Sequence, residues 1–132
     1  MNVTKEKKLV KRFKFFTRPD QHDLPIDAYG FECDNGWFDL IWRLCERIEP
    51  LVDKDFYVVQ VKEKFGGLRF YTSGTLNGVV YEYIQDAENE AIHTCESCGK
   101  PGKLKKINGW YLTACKKCEK DYRAQQKIGG YL

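Results

Sequence analysis

Between residues 36 and 52, apolar side chains recur in steps of three and four: Trp37, Leu40, Ile41, Leu44, Cys45, Ile48 and Leu51. Arg43, Glu46, Arg47 and Glu49 occupy the other side. This pattern predicts an amphipathic core helix. Pro50 predicts its end near Glu49, because the residue before a proline is pushed out of helical geometry. The same steps return over residues 77–93, where Val80, Tyr83, Ile84, Ala87, Ala91 and Ile92 predict a second main helix, with Glu82, Asp86, Glu88 and Glu90 as its acidic side. Between the two helices the period falls towards two. Phe56, Val58 and Val61 alternate imperfectly with polar residues, Gly66-Gly67 interrupts, and residues 68–72 resume the run. That predicts a β-hairpin with a short glycine-containing loop. Residues 103–107 and 110–114 are short strand candidates around Asn108-Gly109, the strongest two-residue hairpin signal. Residues 116–127 hold good helix formers and neither Gly nor Pro, which predicts a closing helix.

The two ends and the first loop are less regular. Leu9, Phe13 and Phe16 are spaced for one helix face, with Lys8, Lys11 and Arg12 beside or behind it. An amphipathic element docked by its phenylalanines is the simpler reading, and a basic arm for phosphate or an acidic partner is the other. Residues 19–35 read as loop, punctuated by Pro19 and Pro25, with residues 29–33 as a brief strand. Asp34-Asn35-Gly36 is a turn in which Asp34 or Asn35 can cap the core helix.

Four of the six cysteines form two Cys-x-x-Cys pairs, Cys95/Cys98 and Cys115/Cys118, separated by sixteen residues. That is the spacing of a structural zinc site. Four thiolates close a tetrahedron around Zn2+ and leave no position for water. Gly99, Pro101 and Gly102 supply the sharp turns after the first pair, and the second pair falls at the start of a helix, where backbone N–H groups favour thiolates. A thioredoxin-type redox pair belongs in a βαβ unit, and none is evident in the pattern. His93, two residues before Cys95, is a substitute ligand that four cysteines make unnecessary. Cys45 lies on the apolar stripe of the core helix and reads as a buried thiol. Cys33 sits among acids, which raise a thiol pKa and count against a reactive thiolate.

Knuckle, hairpin, then a helix carrying the second ligand pair: this order resembles the treble-clef zinc finger, over about residues 94–127. A plain zinc ribbon is the competitor and would place the second pair on another hairpin turn. The whole chain is similar to small zinc-finger proteins encoded by phages and prophages, through GWFDLIWRLCERIE, VKEKFGGLRFYTSG and TCESCGKPG…GWYLTACKKC. That resemblance implies a small intracellular effector or accessory protein.

Charge sharpens the choice of partner. The net charge of +3 conceals +6 over residues 1–18, −9 in the middle and +6 over residues 95–132. In the finger Lys103, Lys105, Lys106, Lys116, Lys117, Lys120 and Arg123 offer a positive surface for DNA or RNA phosphates. Trp110 and Tyr111 can stack on bases or pack the finger against the body. In the first hairpin, Lys62, Lys64 and Arg69 interleave with Phe65, Phe70 and Tyr71, which suits a single-strand face. Strand alternation alone, with rings inward and charges outward, explains that pattern more simply. The acidic centre fits a second function, a phage-type inhibitor or adaptor that docks on a basic host protein or nucleoprotein complex.

The chain, 42% apolar, has enough apolar residues for a packed core. It holds no apolar run near the ~18 residues needed to span a bilayer, and no secretory signal pattern. A cytoplasmic setting is expected, with metal and buried thiols in place of disulfides. No catalytic constellation appears: the two histidines, His22 and His93, stand in unlike contexts, and no nucleophile or metalloprotease motif occurs. The expected fold is α+β, with two main helices and a small antiparallel sheet. Residues 1–93 form the body with its basic N-terminal arm, and residues 94–132 form the four-cysteine zinc finger packed on it. The expected function is that of a non-enzymatic zinc-binding interaction protein.

Overall fold

The computed structural model describes residues 1–18, 31–74 and 77–128. Residues 19–30 of the loop expected over 19–35, with His22 and the acids Asp20, Asp23 and Asp27, lie outside the described residues, as does the Gly129-Leu132 tail. The elements run α1 (Val3–Arg12), β1 (Phe31–Glu32), α2 (Phe38–Ile48), β2 (Tyr57–Lys64), β3 (Gly67–Ser73), α3 (Gly78–Ala91), β4 (Lys103–Ile107), β5 (Trp110–Ala114) and α4 (Lys116–Ile128). Among the described residues this is a mixed α+β fold with four α-helices and two small sheets. None of these helices is long and apolar enough to cross a membrane.

α1 is amphipathic, stops at an extended Phe13, and is followed by a 3-10 turn, Lys14–Phe16. Asn2 caps it by accepting from the Lys5 N–H at 2.9 Å. The Asn2 N–H in turn donates to Asn35 Oδ1 at 2.7 Å, and the Met1 nitrogen donates to the Cys33 carbonyl. Leu9, Phe13, Phe15 and Phe16 are buried. Phe13 meets Trp42 edge-on at 5.1 Å, Phe15 meets Phe56 at 5.6 Å, and Phe16 meets Phe31 at 5.3 Å. These rings lock the N-terminal element across α2 and the sheet.

Five residues of the stripe read from the sequence form the buried face of α2, Leu40, Ile41, Leu44, Cys45 and Ile48, whereas Trp37 is buried just before it and Leu51 lies beyond its end and is exposed. A 3-10 turn, Asn35–Trp37, precedes α2, and Asp34 caps that turn by accepting from the Asn35 N–H at 2.6 Å. Another 3-10 turn, Glu49–Leu51, takes over at Pro50. α3 packs on α2 through Val80, Ile84, Ala87 and Ala91, and Arg43 reaches across to Glu90 with two hydrogen bonds of 2.9 and 3.2 Å.

The expected antiparallel sheet is corrected to a mixed one. β1 pairs parallel with β2, Phe31 beside Val61, while β2 and β3 are antiparallel. The path β1–α2–β2 is therefore a βαβ crossover, which the sequence pattern did not suggest. A two-residue strand carries almost no period of its own, and its partner is set by the helix that returns the chain. The imperfect alternation of β2 also has a cause. The register slips between Val58 and Gln60, so Val59 is an extra, exposed residue and both Val58 and Val61 face the core. On the side of β3 away from β2, the Phe70 N–H donates to Glu88 Oε2 of α3 at 3.0 Å.

Candidate metal centre

α3 stops at Ala91, and a turn through Ile92 and His93 delivers the chain to Cys95. There it forms a knuckle. The Cys95 N–H donates to the Lys100 carbonyl at 2.7 Å, and the Gly99 N–H donates to the Cys95 carbonyl at 2.9 Å. The Glu96 N–H donates to the Thr113 carbonyl at 3.0 Å and fixes the knuckle beside β5. Ala114 ends β5, and Cys115 stands immediately before α4. Cys115 behaves as a cap: its Sγ accepts from the Cys118 N–H at 3.4 Å, and its carbonyl accepts from Glu119 at 2.9 Å. That backbone N–H lowers the Cys115 thiol pKa to about 7, while burial raises that of Cys118, so the helix start favours one thiolate of the pair and not both. The second pair thus sits on a helix start and not on a hairpin turn.

The four sulfur atoms of Cys95, Cys98, Cys115 and Cys118 all lie within 4.8 Å of one another. Cys98 and Cys115 Sγ are 3.8 Å apart. Four thiolates at ~2.3 Å from a central Zn2+ define a tetrahedron with edges of about 3.8 Å. A disulfide requires ~2.05 Å, and all six cysteines are free thiols. The cluster can hold a metal ion and is compatible with zinc. His93 is exposed and does not belong to it. Cys33 and Cys45 stand apart as buried thiols. Burial and then Glu96 push Cys33 up to about 12, and full burial raises Cys45 well above its ordinary value.

No family model, curated protein or solved structure matches this chain.

The turn before α2 presses directly on the knuckle. The Gly36 N–H donates to the Glu96 carbonyl at 2.6 Å, and a Cβ at Gly36 would fall 2.2 Å from the Cys95 carbonyl oxygen. Only glycine fits so close an approach. The fully buried Trp37 donates its indole N–H to the Thr94 carbonyl at 2.9 Å. The Asp34 N–H donates to the Glu96 carboxylate at 2.9 Å, and burial raises that carboxyl to about 7. From β5, the buried Thr113 hydroxyl donates to the Gly66 carbonyl at 2.6 Å. Gly36, Trp37, Gly66 and Thr113 support this centre without any sequence signal of that role. Their partners lie far away along the chain, and no local spacing marks them.

The seven basic residues of the finger do not share one face. Lys106 pairs with Tyr111 across the β4–β5 ladder, while Lys103 and Lys105 project from the alternate side. Lys105 is ion-paired to Glu119, which also binds Arg123 at 3.0 Å. Lys116, Lys120 and Arg123 line a shallow cleft of about 450 Å³ along α4 together with Glu119. Lys117 is exposed. The rings also divide. Phe70 is core, at 4% exposure, whereas Phe65 and Trp110 project, at 66% and 70%.

Proposed function

We propose that this protein is a non-enzymatic interaction module stabilised by a structural Zn2+ on Cys95, Cys98, Cys115 and Cys118, and that its finger binds nucleic acid or a nucleoprotein. The observation that carries the metal assignment is the four-sulfur cluster, sized for a tetrahedral metal. Zinc is favoured because an all-thiolate tetrahedral set suits it. Such a set is closed, so the reading is structural and not catalytic. The order of knuckle, hairpin and helix, with Cys118 in the helix's first turn, supports a treble-clef-like finger. Nucleic-acid binding is supported by the net +6 of residues 95–132, less about two charges for zinc on four thiolates. It is supported also by the exposure of Lys103, Lys106, Lys116, Lys117 and Lys120. The resemblance to phage and prophage zinc-finger proteins fits an accessory role inside a cell.

Two measurements test this. Elemental analysis of the purified chain is expected to give one zinc per molecule, and Cys118→Ser is expected to lose it. Full zinc retention by that variant overturns the assignment. Titration of labelled DNA and RNA over a salt series is expected to give binding that weakens steeply with salt. Absence of binding at low salt overturns the nucleic-acid reading and favours a basic protein partner for the acidic centre, whose Glu82 and Asp86 are exposed.

A further inference from the structure

Phe65 holds the first position of the β2–β3 turn at φ +53°. That is left-handed backbone, which a bulky side chain adopts only under strain. Burial does not explain it, since the ring is two-thirds exposed. Instead the ring meets Tyr111 of the finger edge to face, with centroids 6.3 Å apart and planes at 86°. Tyr111 is itself 45% exposed. Each ring carries a lysine: Lys64 Nζ lies 5.7 Å from the Phe65 centroid, and Lys106 Nζ lies 5.5 Å from that of Tyr111. Glu63, the carboxylate of this turn, accepts from the Gly66 N–H at 2.6 Å. Body and finger therefore build one ridge of two open rings and two ammonium groups.

We infer that this ridge binds single-stranded nucleic acid, DNA or RNA; the inference rests on the nucleic-acid reading above and places its site. Unpaired bases stack on aromatic rings while adjacent cations take the phosphates. A lysine–ring contact at an exposed site is weaker than base stacking, so each ammonium is released to a phosphate when a base arrives. A protein surface fits less well, because the centres of protein interfaces are depleted of lysine. A duplex fits less well, because its bases are already stacked on each other. Trp110 is the internal control. It pairs with Ile107, out of phase with the Lys106–Tyr111 pair, and so leaves the hairpin on its other face.

The test uses the zinc-loaded full chain, with fluorescence anisotropy of labelled oligothymidylate, oligouridylate and a mixed-sequence duplex. Phe65→Asn and Tyr111→Ala are each expected to weaken single-strand binding about tenfold. Trp110→Ala is expected to change it less than about twofold. Lys64→Gln combined with Lys106→Gln is expected to flatten the log–log salt slope by about 1.4, for two phosphate contacts on a single strand. Asn is at home in a left-handed turn, so Phe65→Asn with an undiminished melting temperature separates lost binding from lost folding. This pattern on either oligonucleotide supports the ridge, and the tighter of the two names the strand chemistry. If the oligonucleotides bind but Phe65→Asn and Tyr111→Ala leave affinity unchanged, the ridge is wrong while the nucleic-acid reading stands. If nothing binds even at low salt, both fall, and the ridge becomes a candidate for a protein partner.

Discussion

The two β-hairpins of this chain close on the same backbone turn and fill it differently. Phe65 and Gly66 have φ of +53° and +82°, and Asn108 and Gly109 have +50° and +84°. Positive φ at both central positions is the type I′ geometry that matches strand twist, and Asn-Gly is the pair that adopts it most readily. Phe-Gly is not. The surroundings explain the difference. A Cβ on Gly109 would meet nothing within 4 Å, whereas one on Gly66 would fall 2.4 Å from the Leu104 side chain and 3.1 Å from the Leu112 nitrogen. The first turn is a joint between body and finger, and the second is a free end. The strands differ in the same sense. β2 and β3 bury Val58, Val61, Leu68 and Phe70, whereas β4 and β5 bury only Ile107, Thr113 and Ala114. A residue that violates local preference at a tertiary joint is a sign that something beyond the turn selected it.

Metal removal should separate the hairpins most sharply. Structural zinc supplies on the order of 10 kcal/mol of folding free energy in small fingers. Chelation is therefore expected to strip hydrogen-exchange protection from β4–β5 and leave β2–β3 protected. Equal loss in both would show that the hairpins fold as one unit. In the chelated sample at pH 8 the finger opens, which frees Cys118 from the burial that raises its thiol pKa, and the four finger thiols are expected to react with a disulfide reagent. Cys33 should not, because a thiol pushed up to about 12 has almost no thiolate at that pH. Gly36→Ala comes next, since its methyl would collide with the backbone of Cys95 and Glu96. A destabilisation of about 3 kcal/mol is expected in thermal unfolding, with easier zinc loss. Third, alanine at the two turn glycines should cost unequally, about 2 kcal/mol at Gly66 and about 1 kcal/mol at Gly109, because only Gly66 is crowded as well as left-handed. Equal costs would dissolve the distinction between joint and free end. The smallest effect is a swap of the first turn residues. Phe65→Asn is expected to gain, and Asn108→Phe to lose, about 1 kcal/mol of stability, read as shifts of a few degrees in melting temperature.

The features legible in the sequence are those written in local periods. The stripe of α2, the apolar side of α3, the Asn108-Gly109 hairpin and the two cysteine pairs each carry their own spacing. The rest depends on residues far apart in the chain. The parallel partner of Phe31 is chosen by a crossover, and the bulge at Val59 shows only as a blurred alternation. Gly36 reads as an ordinary turn glycine until Cys95 is placed against it. The turn of the first hairpin was expected at Gly66-Gly67 and falls at Phe65-Gly66 instead. That shift of one residue decides the fate of a ring: Phe65 leaves the strand for the turn and is exposed, while Phe70 stays in phase with the core. The four clustered cysteines are legible as a group because metal coordination demands such a spacing, whereas the seven basic residues, under no such demand, scatter over several surfaces.

The bond from the Phe70 N–H to Glu88 has a consequence for the company this protein keeps. Among the described residues β3 is an edge strand, and an edge strand with unanswered amides recruits other strands, its own copies included. Here a negative charge answers one of those amides, and α3 lies alongside the strand that would otherwise be the growing point. An incoming chain would have to displace a carboxylate already hydrogen-bonded and move a helix anchored on the core. The same helix that feeds the cysteine knuckle thus acts as a guard against aggregation, so Glu88→Ala should be felt first in colloidal behaviour at high concentration.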